Sequence, residues 1–124
     1  MSENAYFTFL KSEMSVKIVI NFTIPWIHRW KNCDIDEVSY LKDYHRHLFY
    51  IRCEKKVRHN DRDIEIISFK TKIENYLWEE YWVMWNCEFW DMSCEMIAEL
   101  LMKEFSLDLC EVLEDWENGA LLTK

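Results

Sequence analysis

The feature that most constrains the fold is the run VKIVINFTIPWIH, in which apolar side chains recur at every second position. Successive side chains of a β-strand point to opposite faces, so this period of two predicts a strand with one buried face over residues 15–27. His28 closes the run and shares the parity of the apolar positions. Those positions are Val16, Ile18, Ile20, Phe22, Ile24 and Trp26.

Three of the four histidines fall close together in the sequence, and two of them form a His-x-His pair at His45 and His47. A second strand is predicted over residues 45–57, where period two places both imidazoles on one face. Antiparallel pairing with the first strand would bring His28 beside them. Three nitrogen ligands with an open fourth position are typical of catalytic zinc, so we predict zinc at these residues with water in the fourth position. The alternative is an exposed His-x-His strand with His28 merely ending another.

From Phe69 onward the apolar period changes to that of a helix. Phe69, Ile73 and Leu77 form the apolar side of a first helix, and Ser93 is a predicted N-cap for a second. The aromatic stretch between them, residues 81–90, either extends the first helix or forms a flap against another subunit.

The remaining elements are predicted from turn and strand signals. His59 lies in a turn and is expected to be exposed, and residues 63–67 are predicted to pair back as a hairpin arm. A strand is predicted over residues 107–113, followed by a hairpin turn at Asn118-Gly119 and a last short strand. Residues 1–14 form an N-terminal extension with a possible strand near residues 6–10.

Composition limits the classes of protein that fit. A chain of 124 residues predicts a single domain spanning residues 1–124. The net charge of −8 argues against a broad nucleic-acid surface, and no apolar run is long enough for a membrane span. Five cysteines without regular spacing indicate reduced thiols and a cytoplasmic location.

Five segments, in the same order, resemble motifs of the 6-pyruvoyl-tetrahydropterin synthase and 6-carboxytetrahydropterin synthase family. Residues 22–28 and 45–51 resemble its F-x-F-x-A-A-H and H-G-H-x-Y-x-V strands, and residues 65–70 resemble D-F-x-x-L-K at the start of a helix. Residues 93–98 resemble P-T-x-E-x-x-A, and residues 112–115 are similar to V-x-E-T. The resemblance covers roughly residues 16–122.

This resemblance implies a fold and a set of partners. The fold would be an α+β tunnelling fold (T-fold), with an antiparallel four-stranded sheet, two helices on one face and the order ββααββ. It implies zinc on His28, His45 and His47, and a Glu114 that anchors the guanidine-like edge of a pterin or purine-like ligand. The other reading of Glu114 is a solvated acid at a strand end. The resemblance also implies a homo-oligomer, a trimer or hexamer, which fits the aromatic content of 16%; a monomer with a Trp-rich core is the alternative.

The catalytic groups of the family are not found at their expected positions. The family's cysteine before the His-x-His pair is missing, and so is the family's Asp-His pair between the two helices. Arg46 stands in place of the glycine of H-G-H. Cys33 and Asp43 are the candidate substitutes, with Tyr44 a further one. Three functions therefore remain open: a lyase-type zinc enzyme acting on a pterin or deazapurine precursor, an inactive T-fold protein that binds zinc and such a ligand, and an oligomeric interaction module.

Overall fold

The computed structural model describes residues 14–83 and 86–124. All but the last residue of the predicted extension, including the strand predicted near residues 6–10, lies outside the described residues. In chain order the elements are strand β1 (Val16–His28), a 3-10 helix (Asp36–Lys42), β2 (His45–Val57), helix α1 (Ile66–Tyr81), β3 (Trp82–Val83), β4 (Asn86–Cys87), helix α2 (Cys94–Phe105), β5 (Leu109–Glu114) and β6 (Asn118–Thr123).

The chain has an α+β fold built on a four-stranded antiparallel sheet in the order β1-β2-β5-β6. This confirms the predicted α+β class and the predicted four-stranded antiparallel sheet. The small sheet of β3 and β4 was not predicted, and it divides the aromatic stretch that follows α1. A parallel bridge from Glu88 to Ile27 then attaches that stretch to the end of β1.

The alternation in β1 produces the expected two-faced strand. Ile20, Ile24 and Trp26 are buried, while Asn21 and Thr23 between them are exposed. The inward residues of the sheet join one hydrophobic core with α1 and α2, so both helices cover the same face. Each fully buried aliphatic side chain contributes about 1.5–3 kcal/mol to that packing. The helical side chains in this core are Phe69, Ile73, Leu77, Cys94, Ile97, Ala98 and Leu101.

Side-chain caps determine where the two helices begin. The hydroxyl of Ser93 accepts a hydrogen bond from the Met96 N–H at 3.2 Å, which confirms the predicted N-cap of α2. The Glu65 carboxylate accepts from the Ser68 N–H in the same way and starts α1. The prediction of a hairpin arm over residues 63–67 was therefore wrong, because this cap turns the chain into a helix at Ile66.

The hairpin turn between β5 and β6 lies before the predicted Asn118-Gly119 position. Asp115 and Trp116 adopt positive φ angles of 56° and 66°, and the Glu117 N–H donates to the Glu114 carbonyl at 3.0 Å. Gly119 instead lies within β6 opposite Leu113. The Asn-Gly signal was misread because this glycine serves close packing: a Cβ there would lie 1.8 Å from the Val112 carbonyl oxygen.

Two further expectations concern membrane spans and the state of the cysteines. No helix in the described part is both long and apolar enough to cross a membrane. Cys33, Cys53, Cys94 and Cys110 are buried free thiols.

Candidate metal centre

Three histidines meet at the end of the sheet where β1 stops and β2 begins. The register places His28 directly opposite His45, and period two along β2 places His47 on the same face. The ring centroid of His28 lies 4.6 Å from that of His45 and 5.2 Å from that of His47. His45 and His47 are 4.8 Å apart by the same measure. The structure thus brings together the three residues that the sequence predicts as metal ligands.

Each of these imidazoles is held in place through its Nδ1 atom. The Nδ1 of His28 lies 2.8 Å from the Met92 carbonyl, and that of His45 lies 2.8 Å from the Asp43 carbonyl. The Nδ1 of His47 lies 2.7 Å from Oδ2 of Asp115. Because all three partners are acceptors, each Nδ1 carries a proton, and in the neutral form of the ring Nε2 presents its lone pair on the other side. Histidine ligands of metals are typically oriented by such outer contacts.

The three Nε2 atoms point into a common space. Each is buried and has no hydrogen-bond partner among the described residues. The Glu114 carboxylate enters the same space: its Oε2 lies 3.4 Å from Nε2 of His28 and also contacts Nε2 of His47. One ligand atom from each of these four residues lies within 4.8 Å of the others. Lone pairs that converge on a carboxylate oxygen repel one another unless a cation lies between them.

Glu114 is placed by its strand. It ends β5 opposite Phe49, and its parity is that of the buried Val112, so its side chain turns toward the helices and the histidines. Burial acts to raise the pKa of the Glu114 carboxyl. The proximity of His28 and His47 and the hydrogen bond from Cys94 outweigh burial, and the pKa is lowered.

Cys94 supports Glu114 from the first turn of α2. Its Sγ lies 3.5 Å from Oε1 of Glu114, the oxygen that does not face the histidines. Burial first, and then the negative charge of Glu114, raise the pKa of the Cys94 thiol to about 12. The side chain therefore stays protonated at neutral pH and donates its S–H to the carboxylate.

Asp115 was not singled out by the sequence, although it lies beside Glu114 in the V-x-E-T-like segment. Its Oδ1 accepts the Leu48 N–H at 2.9 Å while its Oδ2 holds His47. The Leu48 N–H and the contact with His47 lower the pKa of the Asp115 carboxyl. The positive φ that turns Asp115 back over β2 depends on the pairing of three strands. An acid directly after β5 was the only sequence signal for this role.

The electrostatics favour neutral imidazole at His45. Burial lowers the pKa of His45; the Asp43 carbonyl acts in the opposite direction, and the neighbouring His28 and His47 lower it further. Neutral imidazole is the form that ligates metals. Imidazole nitrogens with one carboxylate oxygen suit zinc and other first-row divalent ions. The cluster of His28, His45, His47 and Glu114 could therefore hold a metal ion.

A cavity of about 500 Å³ opens beside the centre, within the size range of small-molecule sites. His28, His45 and Glu114 form one side, and the start of α2 forms another. Arg29 also lines the cavity, with its guanidinium 4.5 Å from the centroid of the Tyr44 ring.

The side chains of Cys33 and Asp43, two of the candidate catalytic substitutes, lie away from this space. Cys33 is buried, and its Sγ is 3.6 Å from the Val38 carbonyl and 3.8 Å from the Ile35 carbonyl. Asp43 is exposed and contributes its backbone carbonyl, which orients His45. A proton-transfer role for either side chain stays a prediction, and their described contacts do not support it.

A scan against protein-family models finds none that matches the chain, and a search of curated proteins returns no match. The geometry of the centre is therefore the main guide to function.

Proposed function

We propose that this chain is a zinc-binding protein of the T-fold type, similar to 6-pyruvoyl-tetrahydropterin and 6-carboxytetrahydropterin synthases, and that it acts on a pterin or deazapurine precursor beside the metal. The observation that carries the proposal is the set of three buried Nε2 atoms, which converge without hydrogen-bond partners among the described residues. When bound, zinc would supply Lewis-acid polarisation of a ligand hydroxyl or carbonyl.

The fold supports the proposal in a general way. The four main strands form one antiparallel sheet with α1 and α2 on one face, which is compatible with a T-fold and its ββααββ order. The resemblance of five ordered segments supplies the family. The cavity beside the histidines supplies room for a bicyclic ligand.

A second candidate is a protein that binds zinc and such a ligand without turnover. The placement of Cys33 favours it, because that thiol faces backbone carbonyls rather than the histidines. The Cys94 thiol is close to the centre, but with a pKa of about 12 it is a poor base at neutral pH. Incubation with a dihydroneopterin-type substrate separates the two candidates, since only the enzyme releases product.

The metal is tested by elemental analysis of protein purified without added metal. We expect one zinc per chain, and loss of zinc when His28, His45 and His47 are all replaced by alanine. His59→Ala is the matched control, because His59 contacts Asp63 instead of the cluster. Wild-type protein that carries no zinc and takes up none when supplied would refute the proposal.

We further propose that the chain assembles into a homo-oligomer, a trimer or hexamer. Strands β1 and β6 are the outer strands of the described sheet, and open edges favour pairing with another chain. The outward face also carries the exposed side chains of Val19, Leu48 and Leu121. Light scattering at micromolar concentration is the test, and a monodisperse monomer would contradict the assembly.

A further inference from the structure

The Glu114 carboxylate enters the space into which the three Nε2 atoms point. We infer that Glu114 is a protein ligand of the metal, and that with His28, His45 and His47 it closes a four-coordinate centre. This inference rests on the proposed three-histidine metal site. In this arrangement Glu114 occupies the fourth position, where the sequence predicted water. Glu114 would then not bind the edge of a pterin ring.

The separation between Glu114 and His28 supports this assignment. In a tetrahedral zinc site with bonds of about 2.1 Å, the ligand atoms are separated by about 3.4 Å. Oε2 of Glu114 and Nε2 of His28 are 3.4 Å apart. The same oxygen contacts Nε2 of His47, so a single carboxylate atom faces two of the three imidazoles.

The second oxygen of Glu114 has a separate partner, which fixes the direction of the carboxylate. The Cys94 thiol donates to Oε1, so Oε2 is the atom left facing the histidines. A ring anchor would need both oxygens free to accept two parallel N–H bonds. Here both oxygens are already directed, one to the thiol and one to the imidazoles. Cys94 is therefore a positioning residue for Glu114.

The backbone also holds Glu114 at this point. Its carbonyl accepts the Glu117 N–H at the tight turn, and the next residue, Asp115, bonds to both Leu48 and His47. Neighbouring carboxylates thus serve the centre in different ways. Glu114 faces the Nε2 atoms directly, while Asp115 holds the far side of the His47 ring.

A closed centre changes how a ligand can reach the metal. Four protein ligands are typical of structural zinc, whereas catalytic sites keep one position open. A small molecule in the adjacent cavity would have to displace the Glu114 carboxylate before it could coordinate. The centre would otherwise stabilise the meeting point of β1, β2 and β5.

The test uses cobalt(II) as a spectroscopic substitute for zinc in the full chain. We compare wild type, Glu114→Gln and the control Glu111→Gln, whose side chain has the opposite strand parity. In Glu114→Gln we expect metal affinity to fall by more than about 100-fold, beyond the 10- to 100-fold loss typical of an outer partner. We also expect its visible cobalt spectrum to change, while Glu111→Gln matches wild type.

The addition of azide, an anion that coordinates cobalt(II), is a second test of the closed centre. A closed centre in wild type should leave the cobalt spectrum unchanged on addition of azide, and Glu114→Gln should respond because its fourth position is open. Equal affinity and equal spectra in wild type and Glu114→Gln would overturn the assignment while the three-histidine site survives. Loss of pterin binding in Glu114→Gln with unchanged metal affinity would likewise overturn it in favour of the ring anchor. Wild type that binds no cobalt or zinc would instead remove the proposed function itself.

Discussion

The two ends of β2 both carry histidine beside carboxylate, yet they are chemically unlike. At the Val57 end, Asp63 accepts from the backbone N–H and the guanidinium of Arg58, and His59 lies 3.6 Å from the same carboxylate. At the His45 end, three imidazoles and Glu114 direct lone pairs at one another. The first cluster is a complete set of donors and acceptors. The second could hold a metal ion, so residue types alone do not distinguish a metal site from an ion pair.

The largest expected effect is the loss of a metal ligand. His47→Ala should abolish the stabilisation that zinc gives, because a bound metal stabilises the native state by about 2.7 kcal/mol at a concentration 100 times its Kd. Thermal unfolding with and without zinc, and after chelation, measures this difference. His59→Ala should keep the full stabilisation by zinc. If zinc stabilised both variants equally, the proposed difference between the two ends of β2 would be wrong.

A smaller effect is expected at the outer contact of His47. Asp115→Asn keeps a side chain that tolerates positive φ but removes the negative charge that orients the imidazole. We expect zinc affinity to fall by about tenfold, as measured by competition with a chelating dye. Asp63→Asn is the matched control at the other end of β2 and should bind zinc as wild type does. A drop of the same size in the control would indicate a general loss of stability.

The cluster of Arg58, His59 and Asp63 should affect the pH dependence of stability and not the response to metal. The side-chain and backbone bonds from Arg58 lower the pKa of Asp63 to about 2, below the roughly 3.9 of an unfolded chain. A lowered pKa stabilises the fold above the unfolded value, and that contribution is lost as the pH falls toward 2. Urea midpoints of wild type and Asp63→Asn should therefore differ at pH 6 and converge between pH 4 and 2. The difference should be small, because Arg58 is largely exposed. A gap that widens in acid would contradict this account.

The smallest effect is expected on the surface of α2, away from both clusters. Glu99 and Lys103 form an exposed ion pair one helical turn apart, with a distance of 2.7 Å. Such pairs are screened by water and salt. Glu99→Gln should leave both the urea midpoint and the zinc affinity unchanged. A measurable loss in either would mean that this helix couples to the metal centre.

The sequence predicted the parts of the fold that depend on local periodicity. The strands around His28 and His47, the apolar seam of α1 and the cap at Ser93 follow from spacing within one element, and each was found. The turn at Asp115 was missed because its positive φ angles occur at residues without the usual glycine signal. The hairpin arm at residues 63–67 was wrong because the Glu65 cap competes with strand pairing.

The sequence predicted the part of the candidate site that depends on strand periodicity. The parity of β1 and β2 was enough to bring the histidines together. The roles of Met92 and Cys94 depend on where α2 packs, and that is decided by contacts far apart in the chain. The orientation of Glu114 toward the imidazoles also depends on contacts between residues far apart in the chain.

Gly119 is the chain's single glycine, and its position has a consequence for mutational tolerance. Any Cβ at this point would lie 1.8 Å from the Val112 carbonyl oxygen and 2.7 Å from the Leu113 Cα, both of which are backbone atoms. No rotamer change can relieve such an overlap, so even alanine would push β6 away from β5. In a saturation library, position 119 should accept no substitution at all, whereas the exposed neighbour Leu121 should accept many.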